Sequence, residues 1–236
     1  MKKFFFSLVA ATMAATGTVF AQGSMLATLS HDDNIIVYYG ADALKTAMAE
    51  AEAGDIITLS SGQFNAVDID KPITLRGAGM SVMADSVSSY QPTVVQDAFT
   101  ISLDESLSNR LLIEGIYFKN GITYGGTIKN AQFLKCRFYS FIAGSDAKIV
   151  NSSFIYCRFF YGFMMNNNSS NAYFINSLVC SPLNYVSSGT NTSNIEFDNC
   201  FVKFDYSSNY GIYPEHVQNA YYKNCILQAT YPTLQG

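Results

Sequence analysis

The sequence predicts an all-β solenoid: a single-stranded, right-handed parallel β-helix that begins with a capping helix. Two observations predict it. Much of the chain repeats an eight-residue pattern every 20–25 residues. Upstream, a short amphipathic segment is followed by Gly-Asp and an alternating strand pattern. A single coil of such strands cannot bury its inner face alone, so the coils must stack.

Six rows carry the repeat: LLIEGIYF (111–118), AQFLKCRF (131–138), SSFIYCRF (152–159), AYFINSLV (172–179), IEFDNCFV (195–202) and AYYKNCIL (220–227). Alternation within the rows predicts strands, and stacked coils lie about 4.8 Å apart. The third column should therefore form an internal ladder of Ile113, Phe133, Phe154, Phe174, Phe197 and Tyr222. The small sixth column should lie where the wall bends, at Ile116, Cys136, Cys157, Ser177, Cys200 and Cys225. Upstream, Ile73 and Val94 continue the third column. Right-handedness follows the crossover preference of parallel strands.

The cysteines have three interpretations. A zinc site is disfavoured, because the chain has no CxxC pair and only two histidines. Disulfides could join the adjacent-coil pairs 136/157 and 200/225, but stacked Cβ atoms lie near 4.8 Å, slightly beyond the usual disulfide range of about 3.5–4.5 Å. The third interpretation, buried packing residues, is the one we favour. We expect no cofactor and no metal.

The N-terminal part divides into two segments. Residues 1–21 have a basic start, a short apolar run and small residues before Gln22, which predicts a cleaved signal peptide. Residues 22–54 hold a predicted helix near 42–53, with Asp42 as its N-cap and Gly54 placed to end it. Apolar residues at helical spacing define the buried face: Ala43, Leu44, Ala47, Met48 and Ala51. The β-helix then occupies 55–236.

The opening block ALKTAMAEAEAGDIITLSSGQF…IDKPITLRGAG and the coil LLIEGIYFKN resemble the pectin-lyase-like, right-handed parallel β-helix superfamily. The chain is particularly similar to secreted β-helix proteins of Gram-negative bacteria that have no settled activity. The resemblance implies a secreted, periplasmic or cell-surface protein. It also implies an asparagine ladder at Asn176, Asn199 and Asn224. Lys135 and Tyr156 occupy the same column, so this ladder should cover only the later coils.

The composition limits the classes of partner that this chain is expected to bind. Charged residues make up 14% of the chain, and no basic cluster suggests nucleic acid. No segment after the signal peptide predicts a membrane span. In the superfamily, lyases use clustered aspartates with a basic residue, and glycosidases use close carboxylates. We interpret the acidic residues Asp32, Asp33, Asp68, Asp70 and the pair Asp104-Glu105 as solvated turn residues, so no catalytic residue is assigned.

The seventh column points outward and places Tyr117, Arg137 and Arg158 in line, one coil apart. A row of planar groups suits a glycan lying along the axis, because aromatic rings accept sugar faces and arginine binds hydroxyls or carboxylates. Solvated wall residues are the alternative interpretation of the two arginines. The predicted function is therefore a non-catalytic exported β-helix that binds a polysaccharide or forms part of a cell-surface structure. The alternative is a polysaccharide lyase or glycoside hydrolase acting on acidic polysaccharide.

The last recognisable row ends at Leu227, and the nine residues that follow predict no second cap. Uncovered coil ends recruit other strands. The sequence therefore predicts either a missing C-terminal region that covers the last coil or self-association through it.

Overall fold

The computed structural model describes residues 25–80, 91–104, 110–144, 147–165, 169–180, 182–183, 193–204 and 219–229. The predicted signal peptide and the residues after Ala229 lie outside the described ranges. Within those ranges, no helix is long and apolar enough to cross a bilayer.

The described chain is mostly strand, with one helix, α1 (Ala43–Glu50). In chain order the strands are β1 (Leu26–His31), β2 (Asn34–Tyr39), β3 (Ile56–Leu59), β4 (Gly62–Phe64), β5 (Thr74–Arg76), β6 (Thr93–Val95), β7 (Phe99–Leu103), β8 (Leu112–Glu114), β9 (Ile116–Phe118), β10 (Ile122–Lys129), β11 (Gln132–Leu134), β12 (Arg137–Phe138), β13 (Phe141–Ala143), β14 (Lys148–Ile155), β15 (Arg158–Phe159), β16 (Phe163–Met164), β17 (Ser170–Ile175), β18 (Leu178–Cys180), β19 (Pro182–Leu183), β20 (Ser193–Asp198), β21 (Phe201–Phe204), β22 (Ala220–Lys223) and β23 (Ile226–Ala229).

Three ladders of strands form the wall of the solenoid. The first runs β2-β1-β3-β5-β8-β11-β14-β17-β20-β22, and the second runs β4-β6-β9-β12-β15-β18-β21-β23. The third runs β7-β10-β13-β16-β19 and joins the first where the long strand β10 also pairs with β14. All pairs from β3 onward are parallel, whereas β1 is antiparallel to both β2 and β3. Successive coils thus stack strand on strand, which confirms the predicted all-β parallel solenoid, while its handedness stays a prediction.

The aromatic ladder predicted from the third column is confirmed. Phe133 lies opposite Phe154, Phe154 opposite Phe174, and Phe174 opposite Phe197. The ring centroids of these pairs are 4.8, 5.0 and 4.8 Å apart, and the four rings are buried. The spacing matches the distance between adjacent strands, so each coil adds one ring to the stack.

The upstream extension of the third column is wrong. Leu75, not Ile73, lies opposite Ile113. Val94 belongs to the second ladder, where it lies opposite Tyr117. A shift of two residues keeps the inward face of a strand inward, so the apolar segment around Ile73 fits either alignment. Row spacing also cannot tell one parallel ladder from another.

Helix α1 is shorter than the predicted 42–53, although its predicted buried face of Ala43, Leu44, Ala47 and Met48 is confirmed. Asp42 precedes the helix but its side chain does not cap it, because Asp42 Oδ1 accepts a hydrogen bond of 2.8 Å from Asn65 Nδ2. The helix ends at Glu50 rather than at Gly54, because the backbone of Ala51 is already extended. There Lys71 Nζ donates to the carbonyl oxygens of Met48 and Ala51, at 3.2 and 2.9 Å. A cation at this position satisfies terminal carbonyls and complements the helix dipole.

The sixth column is buried from Cys136 to Cys200, and its side chains make a repeated contact. Each thiol or hydroxyl lies within hydrogen-bonding distance of two carbonyl oxygens, one two residues earlier and one on the previous coil. For Cys157 these are Ile155 O at 3.5 Å and Phe133 O at 3.4 Å. Ser177 reaches the equivalent oxygens at 2.9 and 3.2 Å. In these coils the position holds a small hydrogen-bond donor, whereas Ile116 occupies it in the first row, and Cys136, Cys157, Cys200 and Cys225 are free thiols.

The residue before this column has left-handed backbone in every repeat row. Gly115 has a φ of 70°, and the φ angles of the five later residues lie between 51° and 56°: Lys135, Tyr156, Asn176, Asn199 and Asn224. Asparagine tolerates this conformation better than lysine or tyrosine. Asn199 Nδ2 donates to Asn176 Oδ1 at 2.6 Å, so the Asn176–Asn199 link of the predicted ladder is present, whereas the structure shows no such link to Asn224 within the described residues.

A second set of asparagines lies one residue before each of the five rows from 131 onward, and hydrogen bonds join several of them. These bonds link Asn151 to Asn130 at 3.3 Å, Asn194 to Asn171 at 3.0 Å, and Asn219 to Asn194 at 2.9 Å, each time through Nδ2 and Oδ1. The sequence signal is complete, because all five rows from 131 onward are preceded by asparagine. The sequence reasoning missed it because the rows began one residue later. Each link pairs the hydrogen-bonding groups of two side-chain amides on adjacent coils.

We expect Tyr156→Asn to raise the free energy of unfolding by about 0.5–1 kcal/mol, because asparagine relieves the left-handed strain. Tyr156 is 51% exposed, so little packing is lost, and the new amide would extend the Asn176–Asn199 ladder by one coil. Chemical denaturation measures the change. The control Tyr156→Ala also removes the ring but supplies no side-chain amide to stabilise the left-handed backbone, so an equal gain there would contradict this explanation.

Candidate binding face

Strand pairing in the second ladder brings together Tyr117, Arg137 and Arg158, the residues predicted from the seventh column. Arg137 lies directly opposite Tyr117 on one side and opposite Arg158 on the other. The next residues, Phe118, Phe138 and Phe159, point inward and stack, which fixes the three coils. Strand alternation then turns Tyr117, Arg137 and Arg158 outward, where all three are half-buried.

The arginines lie in contact with aromatic rings. The Arg137 Cζ atom is 4.3 Å from the ring centroid of Tyr117 and 4.4 Å from that of Phe160. Arg158 Cζ lies 5.3 Å from the Phe160 centroid. Two aromatic rings thus enclose the Arg137 guanidinium, and the second ring also contacts Arg158. We call Tyr117, Arg137, Arg158 and Phe160 the arginine–aromatic strip.

Phe160 is the member of the strip that sequence reasoning missed. It follows the eight-residue row 152–159, so it fell outside the aligned columns. The available signal was the alternation itself, because residues 158 and 160 are two apart and share a face. Beside the strip, the rings of Tyr139 and Tyr161 lie 4.4 Å apart, with exposed fractions of 43% and 64%.

Within the described residues, the positive charge of the strip has no carboxylate partner. No carboxylate in the described part of the chain lies within ion-pair distance of Arg137 or Arg158, whereas Arg76 lies 3.9 Å from Glu114. The Nε atom of Arg137 is buried and has no hydrogen-bond partner among the described residues. Arginine held between rings keeps the edge of its guanidinium available for an anion. The arrangement can therefore bind a carboxylate or sulfate group beside an aromatic surface.

The acidic residues considered as catalytic candidates are exposed: Asp32, Asp33, Asp68, Asp70 and Asp104. Glu105 lies outside the described residues. Across the described ranges, no three of the histidine, cysteine, aspartate and glutamate side chains form a group that could hold a metal ion.

One buried acid, Asp55, has a structural contact. Its Oδ1 lies 2.9 Å from His31 Nδ1, and its Oδ2 accepts a 2.7 Å hydrogen bond from the Glu52 amide. The hydrogen bond to Asp55 and the charge of that carboxylate raise the pKa of His31 above its ordinary value. The contact between His31 and Asp55 links β1 to the segment that follows α1.

The buried thiols are poor nucleophiles. Burial raises the pKa of Cys157 well above its ordinary value and raises the pKa of Cys200 to about 11. Because the thiolate is the reactive form, both groups are protonated and inert near neutral pH. Their contacts assign them to the wall of the solenoid.

Comparison with protein-family models, with curated proteins and with solved structures found no match to this chain. The fold is therefore established by its own strand pairing, and the resemblance to the pectin-lyase-like superfamily rests on the motifs quoted above.

Proposed function

We propose that this protein is an exported, non-catalytic β-solenoid that binds an acidic glycan along the outer face of its second ladder. The observation that carries the proposal is the Arg137 guanidinium, which lies between the Tyr117 and Phe160 rings without a carboxylate partner among the described residues. Export follows from the predicted signal peptide, and a secreted, periplasmic or cell-surface location in a Gram-negative bacterium follows from the resemblance.

Three features favour an acidic over a neutral glycan. Arg137 and Arg158 lie on adjacent coils, so successive charged groups of one polymer can meet successive arginines. Lys203, which points outward from β21, adds a cation on the same face. Charge-assisted hydrogen bonds from arginine to carboxylate or sulfate are shorter and stronger than neutral ones. The exposed Tyr139 and Tyr161 rings supply apolar surface for the faces of the sugars.

The test is calorimetric titration with polygalacturonate oligomers and with neutral oligosaccharides of equal length. We expect binding of the acidic oligomers that weakens as salt rises. Arg158→Ala should lower affinity by about tenfold or more, the effect of losing one charge-assisted hydrogen bond. Its melting temperature should not change, because Arg158 is half-exposed.

Arg76→Ala is the matched control, since it removes the same charge from the first ladder, where Arg76 faces Glu114. It should retain full affinity. Equal affinity of the wild type and the Tyr117→Ala/Arg137→Ala/Arg158→Ala variant would remove the proposal. Release of reducing ends from the polymer would replace it with the alternative, a polysaccharide lyase or glycoside hydrolase.

A further inference from the structure

Among the described residues, the N-terminal hairpin leaves one strand edge unpaired. β2 is the terminal strand of the first ladder, and within the described residues it pairs only with β1. This hairpin was not predicted, and helix α1 packs against both of its strands. Ile35 and Tyr39 of β2 are 71% and 69% exposed, and Ile36 and Val37 are 43% and 41% exposed.

The register of the hairpin shows which backbone groups face outward. The Gly40 amide donates to the Met25 carbonyl at 2.8 Å, so residues 25 and 40 form a hydrogen-bonded pair. Such pairs alternate along antiparallel strands. Ile36 and Tyr38 therefore bond to β1, whereas the N–H and C=O groups of Ile35, Val37 and Tyr39 point away from it.

Natural edge strands are protected by lysine, proline, bulges or a covering segment. Residues 34–40, Asn-Ile-Ile-Val-Tyr-Tyr-Gly, contain no charge and no proline. The paired register of β1 and β2 is continuous from Leu26–Tyr39 to His31–Asn34, so no bulge twists the edge away. The edge is therefore well suited to accept another strand.

We propose that a second copy of this chain covers this edge, with β2 pairing antiparallel to its equivalent around a two-fold axis at Val37. In that register Val37 meets Val37, and Ile35 meets Tyr39, so every outward N–H and C=O group of these residues gains a partner. Aromatic side chains opposite β-branched ones are favoured cross-strand pairs. On the other face, Ile36 meets Tyr38, which covers the exposed part of Ile36.

The segment is self-complementary because of this symmetry. No charged residue lies between Asn34 and Gly40, so two copies meet without like-charge repulsion. An isologous contact of this kind closes after two subunits. A head-to-tail contact between coil ends would instead build an open series of oligomers.

Sedimentation of the protein, expressed from its complete sequence and purified, should give a dimer and no higher species. Val37→Pro should weaken the dimer by about tenfold or more, because it removes the central amide donors of both copies. The monomer should stay folded, because the Val37 N–H does not bond to β1 and proline is tolerated on edges. Circular dichroism checks this, and Val37→Thr, which keeps the amide, should remain dimeric.

Crosslinking tests the register directly. Val37→Cys should form an intermolecular disulfide on mild oxidation, since Cα atoms of a hydrogen-bonded pair lie about 5.5 Å apart. Ile35→Cys should not, because the two copies of residue 35 lie four residues, or about 14 Å, apart. The wild type treated with the same oxidant accounts for the native thiols. A monomeric wild type, a Val37→Pro dimer of unchanged affinity, an open oligomer series, or crosslinking of the Ile35→Cys variant would each overturn the proposal.

Discussion

Replacing Phe154 with alanine is expected to lower the free energy of unfolding by about 3–5 kcal/mol, the cost of truncating a buried aromatic side chain. Phe154 is fully buried, and its ring stacks on Phe133 at 4.8 Å and on Phe174 at 5.0 Å. It also makes edge contacts with Phe141 at 5.3 Å and Phe163 at 5.2 Å. The neighbouring rings are themselves buried and their strands are paired to the next coils, so the cavity cannot readily collapse. Urea denaturation measures the loss.

Tyr161→Ala is the matched control, because it removes an aromatic ring of similar size that is 64% exposed. Its cost should stay within about 0.5 kcal/mol, as for most surface substitutions. A loss below about 1 kcal/mol for Phe154→Ala would show that the ring does not lie in the continuous core.

Gly77→Ala is expected to destabilise the protein by about 1–3 kcal/mol, through overpacking rather than a cavity. A Cβ atom at this position would lie 2.6 Å from the Gly115 carbonyl oxygen and 2.8 Å from both Ile116 Cγ1 and Thr93 Cβ. The nearest contact is backbone on the next coil, so relief requires two coils to move apart. That movement would strain the 2.8 Å hydrogen bond from the Gly77 amide to the Glu114 carbonyl.

Gly125→Ala separates this steric effect from the general effect of replacing glycine. Its Cβ would meet only the Ser102 Oγ atom, at 3.7 Å, which is ordinary contact. We expect the free energy of unfolding to stay unchanged or to rise by up to about 1 kcal/mol, because alanine restricts the unfolded chain. Equal melting temperatures for Gly77→Ala and Gly125→Ala would contradict the close approach of the two coils.

The repeat was sufficient to predict the solenoid, because each row is a short local pattern of residues. Pairing one row with the next then aligns all the positions of both rows. Once Phe133 lies opposite Phe154, every other column of those rows is aligned as well. The third ladder was not predicted, because its strands are short and follow loops of variable length; two residues (139–140) separate β12 from β13, and three (160–162) separate β15 from β16. The N-terminal hairpin was not predicted, because LATLSHDDNIIVYY (26–39) lies outside both the repeat rows and the helical pattern. Its alternation and its Asp-Asp turn were the available signals.

The repeat also predicted most of the candidate binding face, but the prediction lacked one residue. Tyr117, Arg137 and Arg158 share a column, so their alignment follows from the repeat. The contact of Arg137 with Phe160 crosses from one coil to the next and depends on side-chain packing. Column spacing carries no information about such diagonal neighbours, which long side chains reach easily.

The thiol column has a consequence for how this chain matures. Cys136, Cys157 and Cys200 act as hydrogen-bond donors to the backbone, and Ser177 performs the same role without sulfur. No disulfide joins these coils in the described part of the chain, so their folding does not depend on a disulfide-forming enzyme. We therefore expect these coils to reach the same fold with or without a reducing agent present.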